Sequence, residues 1–300
     1  MARRQVTAPV RERPTAAESP APSRSGAAKR GRWLRQAAVL AVVTAVVSAG
    51  IIFGIAPHLG SSTSAGAGSQ SGPTVYQLVS RLDPAVVRTV GSGGLADPLK
   101  PVSGAAPLLD SRQKPLLIFV GAGPCDACAA LRWSVVVAVS RFGSFDYLPL
   151  MAMPAHGSSP QVASFSFFGA GYRSDLISFA GVETSNTAGK SLQPLSATGQ
   201  QLLDALDVPP YVPQASAGAL PWLDIGNRYV MQGSGYPQDV ISGLPWTEVG
   251  KRLSRAADPV AQGIIGTANY LTAAICKTTS MQPASVCDVA PISSMASQLP

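Results

Sequence analysis

Two cysteines, Cys125 and Cys128, stand where an apolar run gives way to a helical pattern. A cysteine at the start of a helix is close to unpaired backbone N–H groups and to the positive end of the helix dipole, which stabilise its thiolate. A thiolate can attack a disulfide, and a second cysteine three residues later can resolve the mixed disulfide. The spacing therefore predicts thiol–disulfide exchange, and the alternative is a permanently closed structural disulfide.

The residues beside the two cysteines should tune this chemistry. Pro124 keeps the approach to the helix rigid and leaves Cys125 exposed. Asp126 lies between the cysteines, and its negative charge competes with the thiolate for the helix dipole. We therefore expect Asp126 to destabilise the thiolate and to make the pair less oxidising.

The other two cysteines, Cys276 and Cys287, have ten residues between them. In an oxidising compartment they predict one structural disulfide. Because it restricts the unfolded chain, such a bridge should stabilise the fold by roughly 3 kcal/mol. The alternative pairs each of them with Cys125 or Cys128 in a framework without chemistry. A zinc site would require more closely grouped Cys and His ligands, so we expect no metal and no other cofactor.

The excess positive charge lies in an N-terminal tail. Residues 1–36 contain nine Lys or Arg and two Glu, a balance that equals the net charge of +7 of the whole chain. Because the remaining residues sum to zero, a basic nucleic-acid-binding face is not expected. The tail is rich in Arg, Pro, Ala and Ser and is predicted to be disordered.

An uncharged run at 37–56 determines the expected compartment. As a helix it would span roughly 30 Å, the thickness of the hydrocarbon core. Basic residues precede it and the next Lys or Arg is Arg81, so the N-terminus is expected in the cytoplasm. We predict a single-pass cell-membrane anchor, a Gly/Ser linker at 57–73 and an extracytoplasmic domain at 74–300. A cleaved signal peptide is the alternative.

The predicted extracytoplasmic domain alternates between strand and helix patterns. Residues 115–121 are typical of a strand buried on both faces, and helical spacing continues from Cys125 to Gly143. Asp258 and Pro259 predict the start of a long helix. The other predicted elements are helices at 74–82, 197–206 and 245–253, strands at 147–153, two strands around a Gly turn at 164–182, and a hairpin at 220–232. This order suits a thioredoxin-like fold, one of several α/β options.

Four stretches resemble a known family when they are taken together. The stretches are 114–145, 164–179, 223–236 and 261–276. They resemble an actinobacterial and archaeal family catalogued as domain of unknown function 929, which is regarded as thioredoxin-like, and the resemblance covers roughly residues 85–290. It implies a thioredoxin-like core with inserted hairpins and a helical C-terminal part, with Cys125 as the nucleophile and Cys128 as the resolving thiol.

The chain departs from the family at several positions. Family members commonly have Pro and an aromatic residue where this chain has Asp126 and Ala127, and Glu where it has Leu131. Thioredoxin-like proteins also place a cis-proline before the strand that faces the disulfide. Alignment on Phe-Ser-Phe assigns that position to Ala163. Because a cis bond before a residue other than Pro costs about 3 kcal/mol, Ala163 implies slower exchange with protein substrates.

Two functions remain open at this point. The first is a membrane-anchored extracytoplasmic thiol–disulfide exchange protein, whose partners would be the membrane and extracytoplasmic thiol or disulfide proteins. The second is a non-catalytic cell-envelope interaction or structural domain that retains the fold with structural disulfides. A serine hydrolase is remote, because no G-x-S-x-G motif occurs and His156 has no visible partner.

Overall fold

The fold is mixed α/β. The computed structural model describes residues 72–300. The helices are α1 (Gly72–Ser80), α2 (Pro84–Val90), α3 (Asp126–Val139), α4 (Ala197–Leu206), α5 (Trp246–Arg252), α6 (Pro259–Thr278), α7 (Ala284–Cys287) and α8 (Ile292–Gln298). The strands are β1 (Lys100–Pro101), β2 (Leu116–Gly121), β3 (Ser144–Tyr147), β4 (Leu150–Met153), β5 (Val162–Phe165), β6 (Gly171–Arg173), β7 (Ser178–Glu183), β8 (Trp222–Ile225) and β9 (Tyr229–Gln232).

Three predictions fall on residues outside the described part. They are the tail at 1–36, the membrane span at 37–56 and the linker at 57–73 except for its last two residues, which belong to α1. Within residues 72–300, no helix combines the length and the apolar character that crossing a membrane requires.

The largest sheet has five strands in the order β1-β9-β8-β2-β7. Strand β2 is parallel to β7 and antiparallel to β8, and β8 and β9 form the predicted hairpin. The residues of β2 after Leu116 are all buried, as the apolar run at 115–121 predicts. The carboxyl end of β2, from which the chain continues to Cys125, therefore lies between two neighbouring strands.

Successive residues of β2 pack on opposite faces of this sheet. Leu117 and Phe119 belong to the main core together with residues of α3 and α6. Ile118 and Val120 belong to a smaller apolar cluster that includes Leu206 at the end of α4. Helices on both faces explain why the strand is apolar throughout rather than alternating.

Helix α3 is buried on almost every side. Every residue from Cys128 to Val139 is buried, because the helix packs against α6, β5 and α1. The sequence predicts a single apolar face that continues to Gly143, but the helix ends at Val139 with Ser140 as its C-cap. Its polar side chains find partners inside the fold, for example the Ser134 hydroxyl, which donates to the Ile264 carbonyl at 3.0 Å.

Two small antiparallel pairs form an insertion between α3 and β7. Strand β3 pairs with β6, and β4 pairs with β5. The prediction of two strands around a Gly turn at 164–182 is therefore wrong in its pairing. The stretch contains the second half of β5, all of β6 and most of β7, and each of these strands pairs with a partner elsewhere.

The C-terminal region is helical, as predicted. Asp258 is the N-cap of α6, where its Oδ1 accepts from the Val260 N–H at 3.0 Å, and Pro259 is the first helical residue. A disulfide joins Cys276 near the end of α6 to Cys287 at the end of α7, and both cysteines are fully buried. The bridge holds α7 against α6 and closes a short loop.

Candidate functional site

Cys125 and Cys128 form a disulfide at the N-terminus of α3. Cys125 is the N-cap residue, and its Sγ accepts from the backbone N–H of Cys128 at an N–S distance of 3.0 Å. Cys125 is partly exposed, whereas Cys128 is fully buried. After reduction, the same N–H and the helix dipole would stabilise a thiolate on Cys125 more than on Cys128.

The segment before β8 also reaches the disulfide. The Leu220 carbonyl oxygen lies 3.5 Å from the Cys125 Sγ, and the Leu220–Pro221 peptide bond is cis. A disulfide sulfur carries no proton, so the contact is a van der Waals contact in this oxidised form. The thiol of reduced Cys125 could donate to this carbonyl.

The structure places Pro221, and not Ala163, directly before β8, the strand that begins beside the carboxyl end of β2 and runs antiparallel to it. Ala163 lies in β5, pairs with Ala152, and its carbonyl accepts from the Trp133 Nε1–H at 2.9 Å. The alignment that selected Ala163 used Phe165 and its neighbours, which belong to the inserted hairpin and not to the five-stranded sheet. Pro221 precedes β8, which is paired with β2.

Asp126 has a neighbour that the sequence does not indicate. Its Oδ2 lies 3.9 Å from the Nε2 of His156, on the loop that joins β4 to β5. The other oxygen, Oδ1, is buried and has no hydrogen-bond partner within the described part of the chain. His156 also lines a small, mostly apolar pocket, whose other lining residues are Pro124, Met153, Pro154, Ala155 and Thr187.

A buried ion pair lies one helical turn beyond Cys128. Arg132 donates to both carboxylate oxygens of Glu183, at 2.9 Å from Nε and 2.6 Å from Nη2, and both side chains are inaccessible to solvent or nearly so. The Arg132 Nη2 also donates to the Ala122 carbonyl, and Glu183 accepts from the backbone N–H of Phe167. The pair therefore joins α3, the end of β7 and the loop that leads to Cys125.

Gly123 allows a second loop to approach the cysteines. Its N–H donates to the Ser185 carbonyl at 2.9 Å, and a Cβ at this position would lie 2.1 Å from the carbonyl carbon of Asn186. A side chain there would displace the loop after β7. In the described residues, no three His, Cys, Asp or Glu side chains are grouped as metal ligands would be.

The geometry defines a class of domain, an α/β domain with a Cys-x-x-Cys disulfide at the N-terminus of a buried helix. Residues 107–217 match the family model described as Domain of unknown function (DUF929). The resemblance expected from the sequence is thereby confirmed for this segment, which contains both cysteines, the insertion and α4. No curated protein and no solved structure matches the chain.

Proposed function

We propose that the protein is a membrane-anchored, extracytoplasmic thioredoxin-like protein that exchanges thiols and disulfides through Cys125 and Cys128. The observation that carries the proposal is the unequal environment of the two sulfurs. Cys125 is partly exposed and its Sγ accepts a backbone N–H, whereas Cys128 is buried. This is the arrangement that an attacking thiolate and a resolving thiol need.

The order of the elements supports the thioredoxin-like part of the proposal. The chain passes from β2 through the cysteines into α3, crosses to the parallel strand β7, and returns through α4 and the β8–β9 hairpin to α6. The β3–β6 insertion interrupts this order between α3 and β7. The uncharged run at 37–56 and the basic tail before it support the membrane anchor and the extracytoplasmic location.

The reaction proceeds in two exchange steps. The Cys125 thiolate attacks one sulfur of a substrate disulfide, which forms a mixed disulfide and releases the other substrate sulfur as a thiolate. Cys128 then loses its proton and attacks the Cys125 Sγ, which forms the Cys125–Cys128 bond and releases the second substrate thiolate. The protein dithiol loses two electrons and two protons, and the substrate becomes a dithiol. The reverse sequence oxidises a substrate dithiol.

Trapping of the intermediate tests the proposal. The Cys128→Ser variant should accumulate mixed disulfides through Cys125, because the resolving thiol is missing. Non-reducing gel electrophoresis with a small disulfide and with a disulfide-containing protein would detect them. Cys125→Ser is the matched control and should trap far less, since Cys128 is buried. Absence of trapping in Cys128→Ser, combined with a disulfide that resists dithiothreitol until the domain unfolds, would favour the non-catalytic domain.

Replacing Asp126 with Asn should raise the reduction potential of the Cys125–Cys128 couple by roughly 30 mV, which corresponds to about 1.4 kcal/mol. The change removes a negative charge beside the thiolate, so it stabilises the reduced form. Equilibration with glutathione redox buffers measures the potential. Asp204→Asn, an exposed change on α4, is the control and should leave the potential unaltered. An unchanged or lower potential in Asp126→Asn would contradict the tuning role.

A further inference from the structure

The two edges of the five-stranded sheet differ in how well they are protected from pairing with another strand. At one edge, β1 has only two residues, Lys100 and Pro101, and both are exposed. Short length, lysine and proline are features by which proteins keep an edge strand from pairing. At the other edge, β7 has six residues, contains no Lys, Arg or Pro, and keeps an unbroken register with β2. The β7 edge therefore lacks these protective features.

The main-chain groups of β7 point alternately toward β2 and away from it. Ser178 and Thr184 both donate their N–H groups to carbonyls of residues 115–121, at 2.8 Å. Because the direction alternates along a strand, the N–H and C=O groups of Phe179 and Gly181 point away from β2. None of these four groups has a hydrogen-bond partner within residues 72–300.

Solvent reaches the main chain of β7. Gly181 is partly exposed, and because glycine has no side chain, the exposed area belongs to its main chain. Phe167 covers one face of the sheet at this position, since a Cβ on Gly181 would lie 2.3 Å from the Phe167 Cβ. Glu183, the last residue of β7, is buried, so the accessible part of the strand ends before it. The accessible residues 178–182 form an open edge whose centre is Ala180.

We propose that the open edge pairs with the open edge of a second copy of this chain, antiparallel and about a two-fold axis at Ala180. In this register Phe179 lies opposite Gly181 of the partner subunit, and each such pair exchanges two hydrogen bonds. All four free groups of each copy are then satisfied, because Phe179 and Gly181 lie symmetrically on either side of the axis. The joined sheet ends at two protected β1 edges, so the assembly closes after two copies. This closure favours a second copy over an unrelated extended segment.

The side chains of the open edge permit this close approach. Ala180 would face Ala180 of the partner subunit as a non-hydrogen-bonded pair, in which the Cα atoms are about 4.5 Å apart. The open edge has no charged side chain, so the pairing opposes no like charges within it. Because four hydrogen bonds make a small contact, we expect the dimer to be reversible. The proposal does not depend on thiol–disulfide exchange at Cys125.

Cysteine cross-linking of the full-length protein tests the register. The four native cysteines are paired, so an introduced cysteine is the free thiol. Ala180→Cys should form an intermolecular disulfide under mild oxidation, because a disulfide joins Cα atoms about 4.4–6.8 Å apart. Ser178→Cys and Val182→Cys should each form none alone, since identical positions lie four residues, or roughly 13 Å, apart along the strands. A mixture of these two variants should cross-link, because Ser178 lies opposite Val182 of the partner subunit.

Non-reducing electrophoresis and peptide mapping identify the cross-linked products. The mapped linkage should join the introduced cysteines to each other and not to Cys125 or Cys128. Equal cross-linking of all three single variants, or no cross-link in Ala180→Cys and in the mixture, would overturn the proposal.

A second test measures association without an added cysteine. Size-exclusion chromatography with light scattering, in a mild detergent, should show the wild type approaching twice the chain mass of 30.8 kDa as its concentration rises. Ala180→Lys should weaken association by about tenfold or more, because it places two like charges directly opposite each other. Ala180→Ser is the matched neutral control and should associate as the wild type does. A wild type that stays monomeric, or equal association of the two variants, would contradict the dimer. If Ala180→Lys does not fold, the Ser178→Cys and Val182→Cys mixture decides.

Discussion

Replacing Glu183 with Gln should lower the free energy of unfolding by about 3–5 kcal/mol. The change leaves the buried Arg132 guanidinium without its counter-charge, and the Nη1 of Arg132 already has no hydrogen-bond partner in the described part of the chain. It also weakens the contacts that join α3 to β7 beneath the Cys125 loop. Urea unfolding at neutral pH, followed by circular dichroism, measures the loss.

An exposed ion pair provides the control for this prediction. Arg173 and Asp146 approach within 2.5 Å, but their side chains are 78% and 42% exposed, so Asp146→Asn should change stability little. The double variant Arg132→Met with Glu183→Met should be more stable than either single variant, because it leaves no unpaired buried charge. If Glu183→Gln lowers the free energy of unfolding as little as Asp146→Asn does, the buried Arg132–Glu183 pair does not stabilise the fold in the way predicted.

Replacing Asp224 with Asn should make the protein more stable above pH 7, by up to about 4 kcal/mol, and should have little effect near pH 3.8. Asp224 lies in β8 beside Ile118 and Val230, fully buried, and one of its carboxylate oxygens has no partner among the described residues. Burial raises the pKa of Asp224 from 3.8 to about 7, although the Asn227 N–H opposes this effect. Urea midpoints measured across this pH range test the prediction.

The direction of the pH effect follows from proton binding. Between pH 3.8 and about 7, the folded state holds the Asp224 proton and the unfolded state releases it. The contribution of Asp224 to stability therefore falls as the pH rises. Glu248 provides a control of opposite sign, because its hydrogen bond with Arg252 lowers the pKa of Glu248. The stabilising contribution of Glu248 is lost as the pH falls. The stability of Glu248→Gln, measured relative to the wild type, should therefore be lowest at high pH. The prediction would be contradicted if the difference in stability between the wild type and Asp224→Asn did not change with pH.

Local patterns in the sequence predict much of the scaffold. The apolar run at 115–121, the turn at Gly226 and the cap at Asp258 each depend on neighbouring residues, and the structure has β2, the β8–β9 hairpin and α6 in these places. The start of α3 at Cys125 is also correct. These features are recognisable because strand burial, turn chemistry and helix capping act over a few residues.

The surroundings of the cysteines depend on contacts between distant parts of the chain. Glu183 is 51 residues from Arg132, and Leu220 is 95 residues from Cys125. A buried Arg inside an apolar helix signals that a partner is needed, but it does not indicate which acid supplies it. His156 reaches Asp126 because the β4–β5 hairpin folds toward α3, and no periodic pattern predicts that placement. The placement of Ala163 in the two-stranded β4–β5 sheet has the same cause, since a Phe-rich strand carries no local signal of the sheet that it joins.

The position of the insertion has an evolutionary consequence. The insertion, which contains the strands from β3 to β6, begins after α3 and ends before β7. The register between β2 and β7 is set by these two strands and not by the insertion. The tips of the inserted hairpins can therefore gain or lose residues over generations without disturbing the five-stranded sheet. One of these tips carries His156, which lies beside Asp126 and shares a pocket with Pro124. Proteins that share the same cysteines could thus diverge in the molecules they recognise through changes in this insertion alone.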